Sequence, residues 1–453
     1  MADRMPPISA LARELAEGKT TSVALTTAAL ARIEDKRGEG PRAFIRVFRD
    51  SALAAAEASD ALRKAGIVPS PLAGIPVSVK DLCDVAGYTT LAGSIVMRNQ
   101  PPAKKDAPVV SRLREAGAVV VGTTNMTEFA MGGLGLNPHY GNVKNAFDRK
   151  TGRVPGGSSS GAAVSVTDGM AAMGLGTDTA GSVRIPAAFN GLAGFKPTVG
   201  RIPTEGVFPL STTLDSVGPL ARTVECCALV DAVFADEPVV APEPMPLEGL
   251  RFAVPTTVMM ENLEPAVATA FEAALKKLAK AGVRIEQIAI PEIAELAALA
   301  RTRFPSMVEG YSIHRERLAN AAADMDPRIV GRMQAGAKIP GYEYYEGMRF
   351  LDDVRKRAGR VTSRYDALVF PTVAVTAPAI SRFTDTEEGR NDFFVILIRN
   401  ASVANLLERC ALSVPCHEAG TAPVGLTLMG ERMADKRILA IGRSVEAAVS
   451  PQG

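Results

Sequence analysis

Residues 109–126, VVSRLREAGAVVVGTTNM, constrain the fold of this chain more than any other stretch. Apolar positions at helical spacing run up to Gly117, and three consecutive valines follow at 119–121. A β-branched run without polar alternation suits a strand buried on both faces. A helix stopped by glycine just before such a strand is the repeating unit of an α/β sheet. The rhythm recurs. LAGIPVSVKD (72–81) reads as a short strand bounded by Gly and Pro. Leu250–Val254, 265–281 and Val283–Ile290 read as strand, long helix and strand, and YDALVFPTV (365–373) and PVGLTLMG (423–430) return to strand texture. Residues 8–35 read as two helices, with Ile8, Leu11 and Leu15 on one face, a break at Gly18, and Thr21 or Ser22 as the next cap. A third helix, RDSALAAAEASDALRKAG (49–66), stops at Gly66, and residues 292–365 are mainly helical. The expectation is α/β: one large core over 1–453, with N-terminal helices at 1–66, a core at 67–235 and a helical insertion at 292–365. The Pro-rich, acidic stretch 236–249 is the best linker candidate.

Composition narrows the partners. A formal charge of +2 on 453 residues supplies no field to attract nucleic acid or an anionic membrane, and like charges form no block. No run of eighteen apolar residues exists, so no membrane span is expected. The N-terminal MADRMPPISALARELAEGKTT lacks a charged region followed by an apolar one, which argues against a secretory signal. Five cysteines, an odd number without a CxxC pair, suit small buried hydrophobes in a reducing cytoplasm better than a disulfide framework or a metal site. A cytoplasmic protein without a metal is the expectation.

The chemistry concentrates between residues 130 and 215, a stretch rich in Gly, Ser and Thr. PGGSSSG (155–161) contains a G-x-S-x-G centred on Ser159. A nucleophile elbow needs a strand running directly into that serine, with a histidine to follow. Here Pro155 and two glycines come first, and the histidines are His139, His314 and His417. His314 sits in the charged run YSIHRERL, where a solvated or capping role is usual, and His417 follows Pro415 in a loop. No Gly-Lys-Ser/Thr marks a phosphate loop. A lysine serves as base instead if it is desolvated enough to be neutral near pH 7. Lys80 ends the apolar strand that carries Ile75, Val77 and Val79, a position where a snorkelling surface lysine is also common.

Three runs in fixed order then carry a resemblance. GGSSSG (156–161), GTDTAGSVRIPA (176–187) and GFKPTVGRIP (194–203), with AGIPVSVKD upstream, are similar to the signature of the amidase signature family. The likeness extends from about residue 8 to 230 and resumes near 365–445. It implies a large mixed β-sheet core covered by helices on both faces. It also implies an amidohydrolase that cleaves the C–N bond of a small carboxamide or urea-like compound and releases ammonia or an amine, without a cofactor, and a homodimer. Carried over residue by residue, Ser182 matches the nucleophile, Ser158 the bridging serine held on a cis peptide, and Lys80 the base. The N–H groups of Thr179, Ala180, Gly181 and Ser182 match the oxyanion hole. Ser159 and Asp178 are expected to orient these groups, and Arg184 to tie the loop to a neighbouring carboxylate. Ile185–Phe189 reads as a short helix whose dipole adds to the hole. GGLG (132–135) is expected to wall the acyl pocket, with Met131, Gly132 and Gly133 at the substrate. Tyr311, His314 and Arg315 are expected to reach the substrate from the helical insertion. One departure stands out: many members have two glycines before the nucleophile, and here Ala180 replaces the first, so the loop must accept a Cβ there. GTDTAGS resembles allophanate hydrolases, whereas VFPLSTTLDSVGPL (207–220) resembles general amidases. An allophanate- or carboxybiuret-type hydrolase, or the A-type subunit of an amidotransferase, are the alternatives.

Overall fold

Three parallel strands, Pro76–Lys80, Val119–Thr124 and Met173–Asp178, are buried at every position. Successive strand residues face opposite sides, so burial throughout means that both faces of the sheet are covered. A computed structural model describes residues 5–302, 304–384 and 390–450. The strands in chain order are β1 (Phe44–Val47), β2 (Pro76–Lys80), β3 (Val119–Thr124), β4 (Met173–Asp178), β5 (Ala193–Lys196) and β6 (Ser216–Ala221), then β7 (Arg251–Pro255), β8 (Arg284–Ile288), β9 (Ala367–Pro371), β10 (Ala411–Pro415) and β11 (Gly425–Met429). Among the described residues they form one eleven-stranded sheet, in the order β1-β3-β2-β4-β6-β5-β10-β11-β9-β7-β8. β2 runs parallel to β3 and β4, and β7 parallel to β8 and β9; the remaining neighbours are antiparallel. The sheet is therefore mixed.

The helices follow local sequence. Pro108 opens Pro108–Glu115, and Gly117, at φ +82°, turns the chain into β3. Thr21 caps Ser22–Glu34 by accepting the Ala24 N–H at 3.0 Å. The 292–365 region folds as Pro291–Thr302, Ser306–Ala321, Pro327–Gly336 and Gly341–Thr362. The Pro-rich 236–249 stretch is no loose spacer. Its Met245 N–H donates to Ala440 O at 3.1 Å, and Arg443 of the helix Asp435–Val449 donates to Pro242 O at 2.6 Å. The strands on either side of it, β6 and β7, lie in the same sheet. All five cysteines are buried and free. No described helix is long and apolar enough to cross a membrane.

Candidate active site

β2 and β4 lie side by side and parallel, with Val79 opposite Leu175. Their C-terminal ends therefore open on the same edge of the sheet, where α/β proteins form crevices. Lys80 is the last residue of β2, and Thr177 and Asp178 end β4. Lys80 is fully buried, and its Nζ bonds with Ser158 Oγ and Thr177 Oγ1, each at 2.7 Å. Burial lowers the lysine from 10.5 to about 7, against the opposing pull of the Asp215 and Asp178 carboxylates.

Ser158 follows a cis Gly157–Ser158 peptide and leads into the helix Ser160–Thr167. Its carbonyl accepts the Thr127 N–H at 3.1 Å, and the Gly157 N–H donates to Gly133 O at 2.7 Å. A Cβ on Gly135 would lie 2.4 Å from Gly156 O, so the 132–135 run owes its glycines partly to this backbone contact. No strand runs into Ser159, whose hydroxyl instead links to Thr177 N and O at 3.3 Å.

The loop from Thr179 to Val183 joins β4 to the helix Arg184–Asn190. Ser182 is 8% exposed, and its carbonyl accepts the Ser159 N–H at 3.4 Å. Asp178 anchors the loop from inside. Its carboxylate accepts the Gly181 N–H at 2.7 Å, the Val183 N–H at 3.1 Å, Arg184 Nε and Nη2 at 3.0 and 2.9 Å, and Asn405 Nδ2 at 2.9 Å. The Asp178–Arg184 pair has no exposure on either side. Burial alone would raise the Asp178 carboxyl, but the guanidinium and, farther off, Lys196 outweigh it and hold the group below the usual range. Arg184 also donates to Ala401 O at 2.8 Å and Asn405 Oδ1 at 2.6 Å. The carboxylate that Arg184 binds is thus the loop's own.

The Gly181 N–H, one of the four donors expected to form an oxyanion hole, donates to Asp178. Gly181 itself sits at φ +116°, where a Cβ would lie 2.6 Å from Ala401 Cβ and 2.7 Å from Ile185 Cδ1. Ala180 does not take a positive φ, which is how the loop accepts its Cβ. Gly181→Ala is expected to lower stability by about 1–3 kcal/mol, through overpacking and an unfavourable φ. A urea midpoint equal to that of the wild type would contradict this.

Thr179 adds a second tether, its hydroxyl donating to Asp215 Oδ1. Asp215 Oδ2 accepts the N–H groups of Leu210 and Ser211 at 2.9 and 3.0 Å, and burial raises the carboxyl to about 6. Glu309, on the helix Ser306–Ala321, accepts from Ser211, Thr213 and Tyr344 hydroxyls at 2.6–2.7 Å. The helical insertion is thereby tied to the loop beside the site.

Ser182, Thr179 and Ala180 open on a cavity of about 60 Å³. Met131, Gly132 and Gly133 line it, as expected for the 130s stretch. The insertion contributes Phe304, Ser306, Met307 and Arg332. Tyr311, His314 and Arg315 do not line it. The first turn of their helix reaches the cavity and later turns diverge. His314 is buried against the Phe129 and Phe208 rings, at 4.2 and 5.5 Å, and burial lowers it to about 3. It is neither solvated nor at the cavity. Arg315 faces solvent, and Tyr311 packs on Gly336. Sequence reasoning missed Thr177, Asn405 and Arg332. The strand register of β2 against β4 was the signal for Thr177. Asn405 and Arg332 lie far along the chain with no local motif.

A family model for amidases matches residues 24–439. Over 402 residues the chain is 38% identical to the 2-amino-5-chloromuconic acid deaminase of Comamonas testosteroni, covering 88% of this chain and 86% of the relative. It is 37% identical over 379 residues to the 1-carboxybiuret hydrolase subunit AtzE of Pseudomonas sp. strain ADP, covering 81% of each. A crystal structure of an amidase superposes with a TM-score of 0.89 at 32% identity, over 98% of this chain and 100% of the other. Likeness of this extent, in sequence and in the path of the whole sheet, is inherited rather than convergent, and the chain belongs to the amidase signature family, enzymes that hydrolyse carbon–nitrogen bonds.

Proposed function

We propose that this enzyme hydrolyses a small carboxamide or urea-like compound through a Ser182–Ser158–Lys80 relay and an acyl-enzyme, releasing ammonia or an amine. The observation that carries this reading is the buried Lys80 amine 2.7 Å from Ser158 Oγ, with Ser158 next in chain to the residue that bonds Ser182. A neutral amine that donates to Thr177 Oγ1 turns its lone pair toward the Ser158 O–H. Lys80 takes that proton while Ser158 takes the proton of Ser182, and Ser182 Oγ bonds to the amide carbon. In this reading the N–H groups of Thr179, Ala180 and Ser182 donate to the oxygen that becomes negative. The proton returns through Ser158 to the leaving nitrogen, because an amide anion is too basic to leave unprotonated. The C–N bond breaks. Water then attacks the ester by the same relay, the bond to Ser182 Oγ breaks, and the acid departs. Both relatives' names denote carboxyl-bearing nitrogen compounds, and one names a deaminase, which supports ammonia as the released product.

Ammonia and amine release from aliphatic amides, aryl amides, anilides, malonamate-like acids, allophanate and carboxybiuret tests the reaction. A serine-directed fluorophosphonate tests the nucleophile. Release from one class, stopped by a label that mass spectrometry maps to Ser182, is the expected result. An active enzyme whose label falls elsewhere, or which takes up none, overturns the relay.

A further inference from the structure

We propose that the outer face of the helix Gly341–Thr362 docks against the same face of a second copy of this chain, as an antiparallel pair across a twofold axis. The inference is independent of the chemistry at Ser182. Tyr342, Tyr345 and Phe350 are 65%, 64% and 39% exposed, and all three lie on this helix. Its inner side packs within the molecule: Leu351, Val354 and Ala358 are buried, and the Tyr344 hydroxyl donates to Glu309 at 2.7 Å. Aromatic side chains gathered in the open among charged ones are the composition of a protein interface, where Tyr, Phe and Arg are enriched.

The charges on this face name its occupant. Tyr342, Glu346, Arg349, Asp353, Lys356 and Arg360 are all exposed, at steps of four, three, four, three and four residues. Such steps keep side chains in one seam along a helix. A twofold contact requires a surface to complement itself. Two antiparallel copies with the axis level with Leu351 set Glu346 opposite Lys356, Arg349 opposite Asp353 and Tyr342 opposite Arg360. Glu346 and Lys356 each lie five residues from Leu351, about 7.5 Å along the helix. Every pair occurs twice. Two of the three join opposite charges, and the third sets a guanidinium at an aromatic ring. A parallel pair would instead place each charge against its own kind. The ion pairs that this helix makes within its own molecule use Asp352, Asp353, Arg355 and Arg357. Among the described residues, Glu346, Arg349, Lys356 and Arg360 form none. Asp353 pairs with Arg357 at 2.7 Å and still has 63% of its side chain exposed, which leaves room for a second partner. A helix of 22 residues is about 33 Å long, comparable with the width of a standard interface of about 800 Å² per partner.

The alternative is a solvated helix on a monomer. Sedimentation velocity of the full chain over about 1–100 µM separates the two, and the wild type is expected to sediment as a dimer at the upper end. Lys356→Glu brings two acids together in two places and should weaken the dimer by about tenfold or more; Glu346→Lys should do the same with two bases. The double variant, Glu346→Lys with Lys356→Glu, restores both pairs with their signs exchanged, and its dimer should return to within about threefold of the wild type. Tyr342→Ala with Tyr345→Ala should also weaken the dimer by about tenfold, through loss of the aromatic contacts. All these residues are exposed, so thermal midpoints measured on the monomeric variants should agree within about 2 °C. A wild type that stays monomeric at the highest concentration overturns the inference. A dimer indifferent to both single reversals also overturns it, because its contact then lies on another face. So does a double variant no tighter than the singles, which would remove the antiparallel pairing of Glu346 with Lys356.

Discussion

Ser182→Ala is expected to reduce kcat/KM by about 10⁶-fold, as loss of a serine nucleophile does where the rest of the machinery remains. Lys80→Met is expected to cost about 10⁴-fold, the upper range for a general base. Folding should survive both changes. Methionine fills the space of Lys80 without a charge to desolvate, so its urea midpoint should not fall below that of the wild type. The pH profile identifies the base. Burial brings Lys80 to about 7, and the neutral form accepts the proton. Wild-type kcat/KM should therefore be level above pH 7 and fall about tenfold per unit below it, since kcat/KM follows the free enzyme. Asp215 and Asp81, raised by burial to about 6 and about 7, titrate in the same window. Lys80→Met distinguishes them. Its residual activity should lack the inflection near pH 7. An inflection that persists in Lys80→Met assigns it to one of the carboxyls, and a wild-type rate level down to pH 5 removes neutral Lys80 from the mechanism.

Much of this was legible from local pattern. The valines of β3 announced a strand buried on both faces because they do not alternate with polar residues, whereas Pro76–Lys80 alternates Val with Ser and Lys and is nonetheless buried throughout. Gly66 and Gly117 marked helix ends because each takes a positive φ. Lys80, Ser158 and Ser182 were legible through the resemblance to the family signature, and the fold brings Lys80 into contact with Ser158. What escaped was non-local. The Gly181 N–H looked available for an oxyanion, but which acceptor claims a backbone donor depends on how Asp178 turns. His314 sits among charged neighbours in sequence, yet one helical face points inward to Phe129 and Phe208. Asn405 joins Asp178 and Arg184 from more than two hundred residues away, at a distance that no periodicity encodes. The Pro-rich 236–249 stretch had the composition of a linker, and only its bonds to the C-terminal helix reveal a docked segment.

The second large effect is expected at Asp178. Asp178→Ala should cost about 3–5 kcal/mol of stability, because it leaves the Arg184 guanidinium buried beside no carboxylate. It also strips acceptors from the Gly181 and Val183 N–H groups, and a freed Gly181 N–H leaves the loop without its internal brace. Activity should then fall by at least about 100-fold, the scale of a disturbed oxyanion hole. Asp178→Asn keeps one acceptor oxygen and should lie between. The sign of the pH dependence follows from the depressed carboxyl. Its ordinary value is 3.8, and the folded value lies below that. The contribution is therefore complete above about pH 4 and is lost as pH falls through the folded value. The stability gap between wild type and Asp178→Ala should accordingly be constant from pH 5 to 8 and narrow in stronger acid. Urea unfolding at a series of pH values reads this directly. A gap below about 0.5 kcal/mol at pH 7 would mean that Ala401 O and Asn405 Oδ1 suffice for Arg184, and that the loop is held by its backbone alone.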